Sequence, residues 1–289
     1  MNKISIVIIT CSRSNDLKRL LESLKKTIKN FSSIEIIIID SGNSKSFEIN
    51  SKIISSFFTD ATHVSSEKEI SWQRNTGISL SKGEFILFLD DDVILEEDYL
   101  TSIMECFTEP DVIGATGYVA NQKNYSFLER LFRKIFLLQD VNNRKTYRKI
   151  SGYFSFLNKP KQIVNTEALW GCNMIIKKKF LEKCSFDENL NFYDDIELSL
   201  RLLKLGKLCL SEDARLIHKR SNSDRDKPWK IMRKQVISNL YISKKHQRIN
   251  TYVYCAFLWS SIGMFILMFL CYIFQTDLTK GTLEEYGTH

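Results

Sequence analysis

Short apolar runs and longer amphipathic stretches take turns along most of this chain. Ile4–Thr10 (ISIVIIT) is continuous and β-branched, which predicts a strand buried on both faces. Behind Ser14-Asn15-Asp16, Leu17, Leu20, Leu21, Leu24 and Ile28 recur at helical spacing, predicting an N-capped helix to about Lys29. Ile34–Ile39 reads as a second buried strand, ending at Asp40 and the turn Ser41-Gly42-Asn43-Ser44. A weaker helix at 48–57, a short strand at Ala61–Val64 and a helix at Ser71–Ser81 follow, the last closed by Gly83 as its C-cap. Glu84–Leu89 is a fourth strand and runs into Asp90-Asp91-Asp92; a helix at Glu96–Phe107 and a strand at Val112–Val119 come next. This order predicts a doubly wound α/β sheet, mostly parallel and flanked by helices. Ligands of such sheets bind beyond the carboxyl ends of the strands, where Asp40 and the Asp triplet both fall.

Residues 120–168 break the alternation. Tyr125–Leu138 (YSFLERLFRKIFLL) is amphipathic, aromatic and basic, and its pattern suits a membrane-docking helix and a core helix equally. Alternation resumes with a strand at Leu169–Ile176, a helix at Asp194–Leu205 and a strand at Lys207–Leu210. Trp229–Arg248 is a further amphipathic helix, with Trp229, Met232, Val236, Leu240 and Tyr241 on one side. From Ile249 to Thr276 no residue is charged. Tyr252–Phe274 would make about 34 Å of helix, enough for a hydrocarbon core of roughly 30 Å. Lys244, Lys245 and Arg248 precede this run, while Asp277, Lys280, Glu284 and Glu285 follow it. The positive-inside rule then puts the main body in the cytoplasm and a short tail outside, a single-pass protein of the cell membrane. A buried core helix and a helix flat in the interface are the other readings of the same run. The expected divisions are 1–220 as the α/β domain, 221–250 as a basic juxtamembrane helix, 251–275 as the spanning helix and 276–289 as a tail.

Composition adds a charge asymmetry. The net charge of +7 hides −6 over residues 1–120, +10 over 121–183 and +9 over 214–250, with −6 over the remaining residues. An acidic site on one part and a basic surface on another follow, the basic surface suiting nucleic acid or an anionic membrane. Placement of the basic residues beside the apolar run favours the membrane, with no nucleic-acid partner expected. The seven cysteines are scattered singly with no C-x-x-C pair, which excludes a disulfide framework and a structural zinc site.

Two acidic clusters carry candidate chemistry. Asp90-Asp91-Asp92 is either a site for a cation with oxygen ligands, Mg²⁺ or Mn²⁺, or a solvated turn capping the next helix. Asp194-Asp195-Ile196-Glu197 opens a helix, so its carboxylates either cap that helix or include a base for a hydroxyl nucleophile.

The order of SIVIIT before Ser12-Arg13, then IIIIDSGNS, WQRNTGI, FILFLDDDV, LWGCNMIIKKKFL, YDDIELSLRLLKLG and Ile217-His218 resembles the family 2 glycosyltransferases over about residues 3–220. The resemblance implies a GT-A fold, a Rossmann-like mixed sheet, and inversion at the anomeric carbon. It also implies a nucleotide-diphosphate sugar as donor and Mn²⁺ or Mg²⁺ as cofactor. It assigns Thr10, Asp40, Arg74, Asn75, Asp90 and Asp91 to the nucleotide. Asp92, with Asp90 and His218, falls to the metal, and a structural role for His218 stays open. Asp195, second of the pair matching the family's Glu-Asp motif, becomes the catalytic base. Trp170, Gly171, Cys172, Asn173 and Asp194 fall at the donor–acceptor boundary. Ser41 stands where many members carry a second acid, and Thr10-Cys11-Ser12 where an aromatic and Asn are common. With the apolar run, a lipid-linked glycan acceptor is expected. Transfer to polyprenyl phosphate and a catalytically silent scaffold are the alternatives. Ser260, Ser261 and Gly263 are small enough to let copies of the apolar helix pack together.

Overall fold

The structure is a computed structural model; it describes residues 3–122, 125–143, 147–157, 162–190, 192–219, 228–246 and 250–274. The expected tail at 276–289 lies outside these. Two compact units are present. The first takes in residues 1–121, 161–190 and 194–224, and the second 122–160, 191–193 and 225–289. The span 1–220, expected as one domain, is therefore divided, because the segment that broke the alternation belongs with the C-terminal helices.

In the first unit, β1 (Ile4–Thr10), α1 (Ser14–Thr27), β2 (Ile34–Asp40), α2 (Ser44–Phe57), β3 (Thr62–Ser65), α3 (Ile70–Leu80) and β4 (Phe85–Asp90) alternate as the apolar pattern predicts. After them come β5 (Val93–Leu95), α4 (Tyr99–Met104) and β6 (Val112–Val119). The β5 strand was not expected. The helix expected over 96–107 is shorter, a single α stretch followed by a 3₁₀ turn at Glu105–Thr108.

β1 pairs parallel with β2 on one side and with β4 on the other, and β2 pairs parallel with β3. The chain thus reverses its direction of travel across the sheet at β1, and a crevice opens beyond the carboxyl ends of β1 and β4. Register brings Ile9 opposite Asp90, so Thr10 and the Asp triplet flank that crevice. Every residue of β1 and β4 is buried, which explains their unbroken apolar runs. The α1 leucines at 17, 20, 21 and 24 are fully buried against the same core, as their spacing predicts.

The sheet is mixed. In the second unit lie α5 (Phe127–Ile135), β7 (Asp140–Asn143), β8 (Tyr147–Arg148) and β9 (Phe154–Leu157), whose strands form a separate small sheet in the order β7-β9-β8. Back in the first unit, β10 (Ile163–Asn165) and β11 (Asn173–Lys177) precede the short α6 (Lys178–Leu181), α7 (Asp194–Leu202) and β12 (Lys207–His218). β11 inserts antiparallel between β4 and β6, and β12 pairs parallel with β6 and antiparallel with β5 and β10. The expected strand over 169–176 begins only at Asn173, because residues 169–172 form the loop that reaches the site. The expected strand at 207–210 continues to His218, because an irregularity between Ser211 and Arg215 lets it change partners and carry on beside β6. The second unit closes with α8 (Pro228–His246) and α9 (Thr251–Phe274).

Two glycines matter through close approach. A Cβ on Gly77 would stand 2.3 Å from Val7 Cγ1, so glycine lets α3 rest directly on β1. Gly83 does not cap α3; Ser81 does, in an extended conformation. A Cβ on Gly83 would meet Ser5 N at 2.6 Å and Lys3 O at 2.8 Å, so this residue serves the approach of the chain to β1. Overpacking of this kind costs about 1–3 kcal/mol. Gly77→Ala is expected to lose that much stability in a denaturant melt. The double variant Gly77→Ala/Val7→Ala should lose less than the sum of the two single changes, because Val7 supplies the clashing methyls.

Candidate active site

Helix α3 organises the crevice. Its buried residues are Ser71, Gln73, Arg74, Gly77 and Ile78, so three polar side chains share the inward face with glycine and isoleucine. Gln73 Nε2 donates to Ile39 O at 3.1 Å and to Thr10 O at 3.4 Å, tying the ends of β1 and β2 together. Arg74 is completely buried. It donates from Nη1 to Asp194 Oδ2 at 2.8 Å, and from Nη2 to Gly171 O at 3.0 Å and Asp90 Oδ1 at 3.3 Å. Burial works against this guanidinium, but Asp194, Asp90 and Asp195 outweigh it and raise its pKa. One arginine therefore joins both acidic clusters and the loop after residue 170.

Two residues expected at the nucleotide are engaged within the protein. Arg74 reaches protein acceptors rather than open crevice, so it acts as an internal strut. Asn75 turns away: its amide donates to Phe186 O at 3.0 Å and Glu188 Oε1 at 2.7 Å, and accepts from Phe186 N at 2.9 Å. It anchors the 186–188 loop.

The three adjacent aspartates have three different environments. Asp90 takes Arg74. Asp91 is fully buried and accepts from Thr10 Oγ1 at 2.6 Å, with Arg13 Nε 3.3 Å from the same oxygen. Burial pushes Asp91 up, Asp92 and Asp90 add to the effect, and Arg13 and Thr10 oppose it. Asp92 has His218 Nε2 at 3.0 Å and Arg13 Nη1 at 3.5 Å. Burial disfavours the His218 imidazolium, but Cys172 and Asp92 prevail and push the ring up to about 10. A proton on His218 and a divalent cation are alternative ways of neutralising this cluster.

Ligand atoms of Asp90, Asp92 and His218 all lie within 4.8 Å of one another, and all three residues are buried. Among the described residues His218 Nε2 has Asp92 Oδ1 beside it at 3.0 Å but no hydrogen bond of good geometry. Two carboxylates and an imidazole with ligand atoms this close together fit a divalent cation with oxygen and nitrogen ligands. His218 reaches this point at the end of β12, the strand whose extension sequence periodicity does not show.

Asp40, at the end of β2, has both oxygens engaged. Oδ1 accepts from Gly42 N at 2.7 Å, and Oδ2 from Asn50 Nδ2 at 2.7 Å with His63 Nε2 at 3.3 Å. Phe47 stacks on the His63 ring at 4.0 Å. Burial opposes ionisation of Asp40, but the His63, Asn50 and Gly42 bonds hold its pKa below the usual carboxylate range. This residue shapes the β2–α2 turn beside the crevice. Sequence reading missed Asn50 and His63; the one available signal was a polar residue on the inward face of a weak helix.

At the other acidic cluster, Asp194 pairs with Arg74. Asp195 accepts from Gly171 N at 2.8 Å through Oδ2 and from Ile196 N at 2.7 Å through Oδ1. Tyr193, immediately before them, has φ of +61°, and Ser12, after β1, has φ of +53°. Left-handed backbone at non-glycine residues is costly, and here it adjoins both sides of the site. Trp170 is half-buried and its backbone N–H donates to Thr116 Oγ1 at 3.3 Å. Cys172 and Asn173 are buried. Asn173 Oδ1 accepts from Gly117 N at 2.6 Å and Tyr99 OH at 3.2 Å, which makes it a brace between β11 and β6.

Removing one partner of a buried ion pair typically costs about 3–5 kcal/mol, because the other charges stay buried and unpaired. Arg74→Met is expected to destabilise the protein by that order in chemical denaturation. The depressed Asp40 pKa has a defined sign: its contribution is fully present above its unfolded pKa and is lost as pH falls through the lower folded value. Asn50→Ala should shrink the stability lost on acidification below about pH 4, as read by melting temperature against pH.

The model of glycosyl transferase family 2 matches residues 5–185. Glycosyltransferase GlyA of Streptococcus pneumoniae serotype 4 is 24% identical over 188 residues, 64% of this chain but 26% of GlyA. Glycosyltransferase GlyG of the same organism is 22% identical over 214 residues, 71% of this chain and 68% of GlyG. The chain thus spans about a quarter of one relative and two thirds of the other. Among solved structures, the mannosyltransferase PcManGT of Pyrobaculum calidifontis, in complex with GDP-Man and Mn²⁺, superposes with a TM-score of 0.62. It is 11% identical, and the match covers 99% of this chain and 84% of that one, which establishes the GT-A fold. With a family match over most of the α/β unit and the Asp triplet at its sheet switch point, this chain belongs to glycosyl transferase family 2.

Proposed function

We propose that this protein is an inverting, metal-dependent glycosyltransferase. It moves a sugar from a nucleotide-diphosphate donor to a hydroxyl of a lipid-linked glycan at the cytoplasmic face of the cell membrane. The observation that carries this reading is the Arg74 bridge from Asp90 to Asp194, which brings the acid triplet and the helix-opening acids to one site. The family match and the nucleotide sugar held by PcManGT supply the donor class.

Asp90, Asp92 and His218 are the residues that would hold Mn²⁺ or Mg²⁺. Such a cation, when bound, supplies positive charge to the leaving diphosphate. Thr10 and Asp91 form the nucleotide side of the site, with Asp40 fixing the adjacent turn. Asp195 takes the acceptor proton while the hydroxyl oxygen attacks the anomeric carbon. A new C–O bond forms on the face opposite the departing diphosphate, whose C–O bond breaks with the electron pair leaving on oxygen. The Gly171 and Ile196 N–H groups orient the Asp195 carboxylate. Trp170, on the loop that Arg74 fixes through Gly171, offers an aromatic face for the acceptor sugar. Membrane attachment rests on α9, a helix long and apolar enough to cross a bilayer, and on the basic residues before it.

Asp195→Asn should lower kcat by about 10²–10⁴ with little change in donor affinity. Activity close to that of the unsubstituted protein would instead favour polyprenyl phosphate as acceptor, since an anionic oxygen needs no base. Asp92→Asn should abolish the thermal stabilisation by Mn²⁺ with a nucleotide sugar. If no nucleotide sugar stabilises the folded protein with or without Mn²⁺, the transferase reading fails in favour of a silent scaffold.

A further inference from the structure

The contacts of α9 in the second unit bear on whether it crosses the membrane. One face of α9, comprising Ala256, Phe257, Ser260, Gly263 and Met264, is buried. A Cβ on Gly263 would lie 2.4 Å from Phe136 Cβ, so the helix sits directly on the segment after α5. Met264 and Leu267 pack with Leu138, Tyr153, Phe136 and, from α8, Met232. Trp259 stacks on Phe136 at 4.8 Å, and its Nε1 donates to Ile135 O at 2.8 Å.

The opposite face exposes Leu258, Ile262, Phe265 and Phe269, spaced as one helical stripe. α5 also exposes an apolar stripe: Phe127 is 71% and Leu128 75% accessible, with Leu131 and Ile135 behind them. The Trp259 contacts with Ile135 and Phe136 bring the end of the α5 stripe beside α9, and both Trp259 and Ile135 are partly exposed. Arg130 and Lys134 are exposed on α5, and Lys244 and Lys245 at the end of α8.

If α9 spanned the bilayer from Tyr252, Gly263 and Met264 would lie about 17 Å along it, near the midplane. Their packing partners Phe136, Leu138 and Tyr153 would have to lie there too. With them would go non-helical chain and the small β7-β9-β8 sheet, whose edges hydrocarbon cannot satisfy. Charges would follow as well. Lys149 bonds to Leu138 O, and the buried Arg133 bonds to Gln139 O and Glu129. Charged groups at that depth are strongly disfavoured.

We infer that α9 lies along one leaflet and does not cross it. Its exposed stripe and that of α5 sink together into the headgroup–acyl boundary of an anionic phospholipid surface, with the neighbouring lysines and arginines at the phosphates. This inference rests on the membrane attachment proposed above and sets its geometry. It replaces the spanning orientation expected from hydropathy, and it keeps residues after α9 on the side of the main body.

Nitroxide labels at Leu258→Cys, Ile262→Cys, Phe265→Cys and Phe269→Cys, one at a time in the full chain, test it. The chain is bound to phosphatidylglycerol–phosphatidylethanolamine liposomes and depth is read from oxygen against nickel-chelate accessibility, with the unsubstituted chain as background. All four labels should report one shallow depth, about 5–10 Å below the headgroups. A depth that peaks at Ile262 and Phe265 and falls on both sides would show a spanning helix and overturn the inference, leaving membrane attachment intact. Four water-exposed labels on chain that does not sediment with liposomes would overturn the attachment itself. A protease site appended after His289 gives a second reading in cells: cleavage from the cytoplasmic side supports one-leaflet seating, and cleavage only from outside overturns it.

Discussion

The buried guanidinium of Arg74 is the interaction on which the site depends. It lies between a carboxylate at the end of β4, a carboxylate opening α7 and a carbonyl of the loop before β11. These groups come from positions 90, 194 and 171 and would repel or scatter without it. A planar fork with five donors can serve three acceptors in fixed directions, which a lysine cannot. Its position in turn depends on Gly77, one helical turn later, because only a residue without a side chain lets α3 lie against β1. Packing of a helix on a strand thus sets the distance between two acidic clusters.

The acid triplet illustrates how neighbouring identical residues acquire different chemistry. Asp90 answers to Arg74, Asp91 to Thr10 and Arg13, and Asp92 to His218 and Arg13. Strand alternation sends successive side chains to opposite sides, and the turn after β4 separates them further. Two of the three converge with His218 on one point, while the middle one is buried against the end of β1. The cation-binding capacity comes from this division rather than from the sum of three charges.

The second unit shows the same dependence on partners. Hydropathy alone marks α9 as long enough to span a bilayer, but a membrane helix must leave its whole circumference compatible with lipid or with satisfied protein. The side facing Phe136, Leu138 and Tyr153 brings charged groups and sheet edges with it, whereas the opposite side exposes Leu258, Ile262, Phe265 and Phe269. The α5 stripe, ambiguous by periodicity between core and membrane, is exposed: Phe127 and Leu128 face outward and Arg133 faces in.

Sequence by itself determined the elements whose signal is local. The β-branched runs of β1, β2 and β4, the leucine stripe of α1 and the apolar length of α9 are legible because periodicity reports burial within one element. It also placed Thr10, Asp40 and the Asp triplet at strand ends, where a doubly wound sheet binds ligands. Tertiary structure alone decided which of these groups face one another. The Arg74 bridge, the capture of Asp40 by Asn50 and His63, the turning of Asn75 towards Glu188, and the arrival of His218 beside Asp92 all join residues distant in sequence. No periodicity encodes such pairings; they exist only after helices have packed and strands have taken their register, because a side chain's partner is fixed by the position of a second backbone.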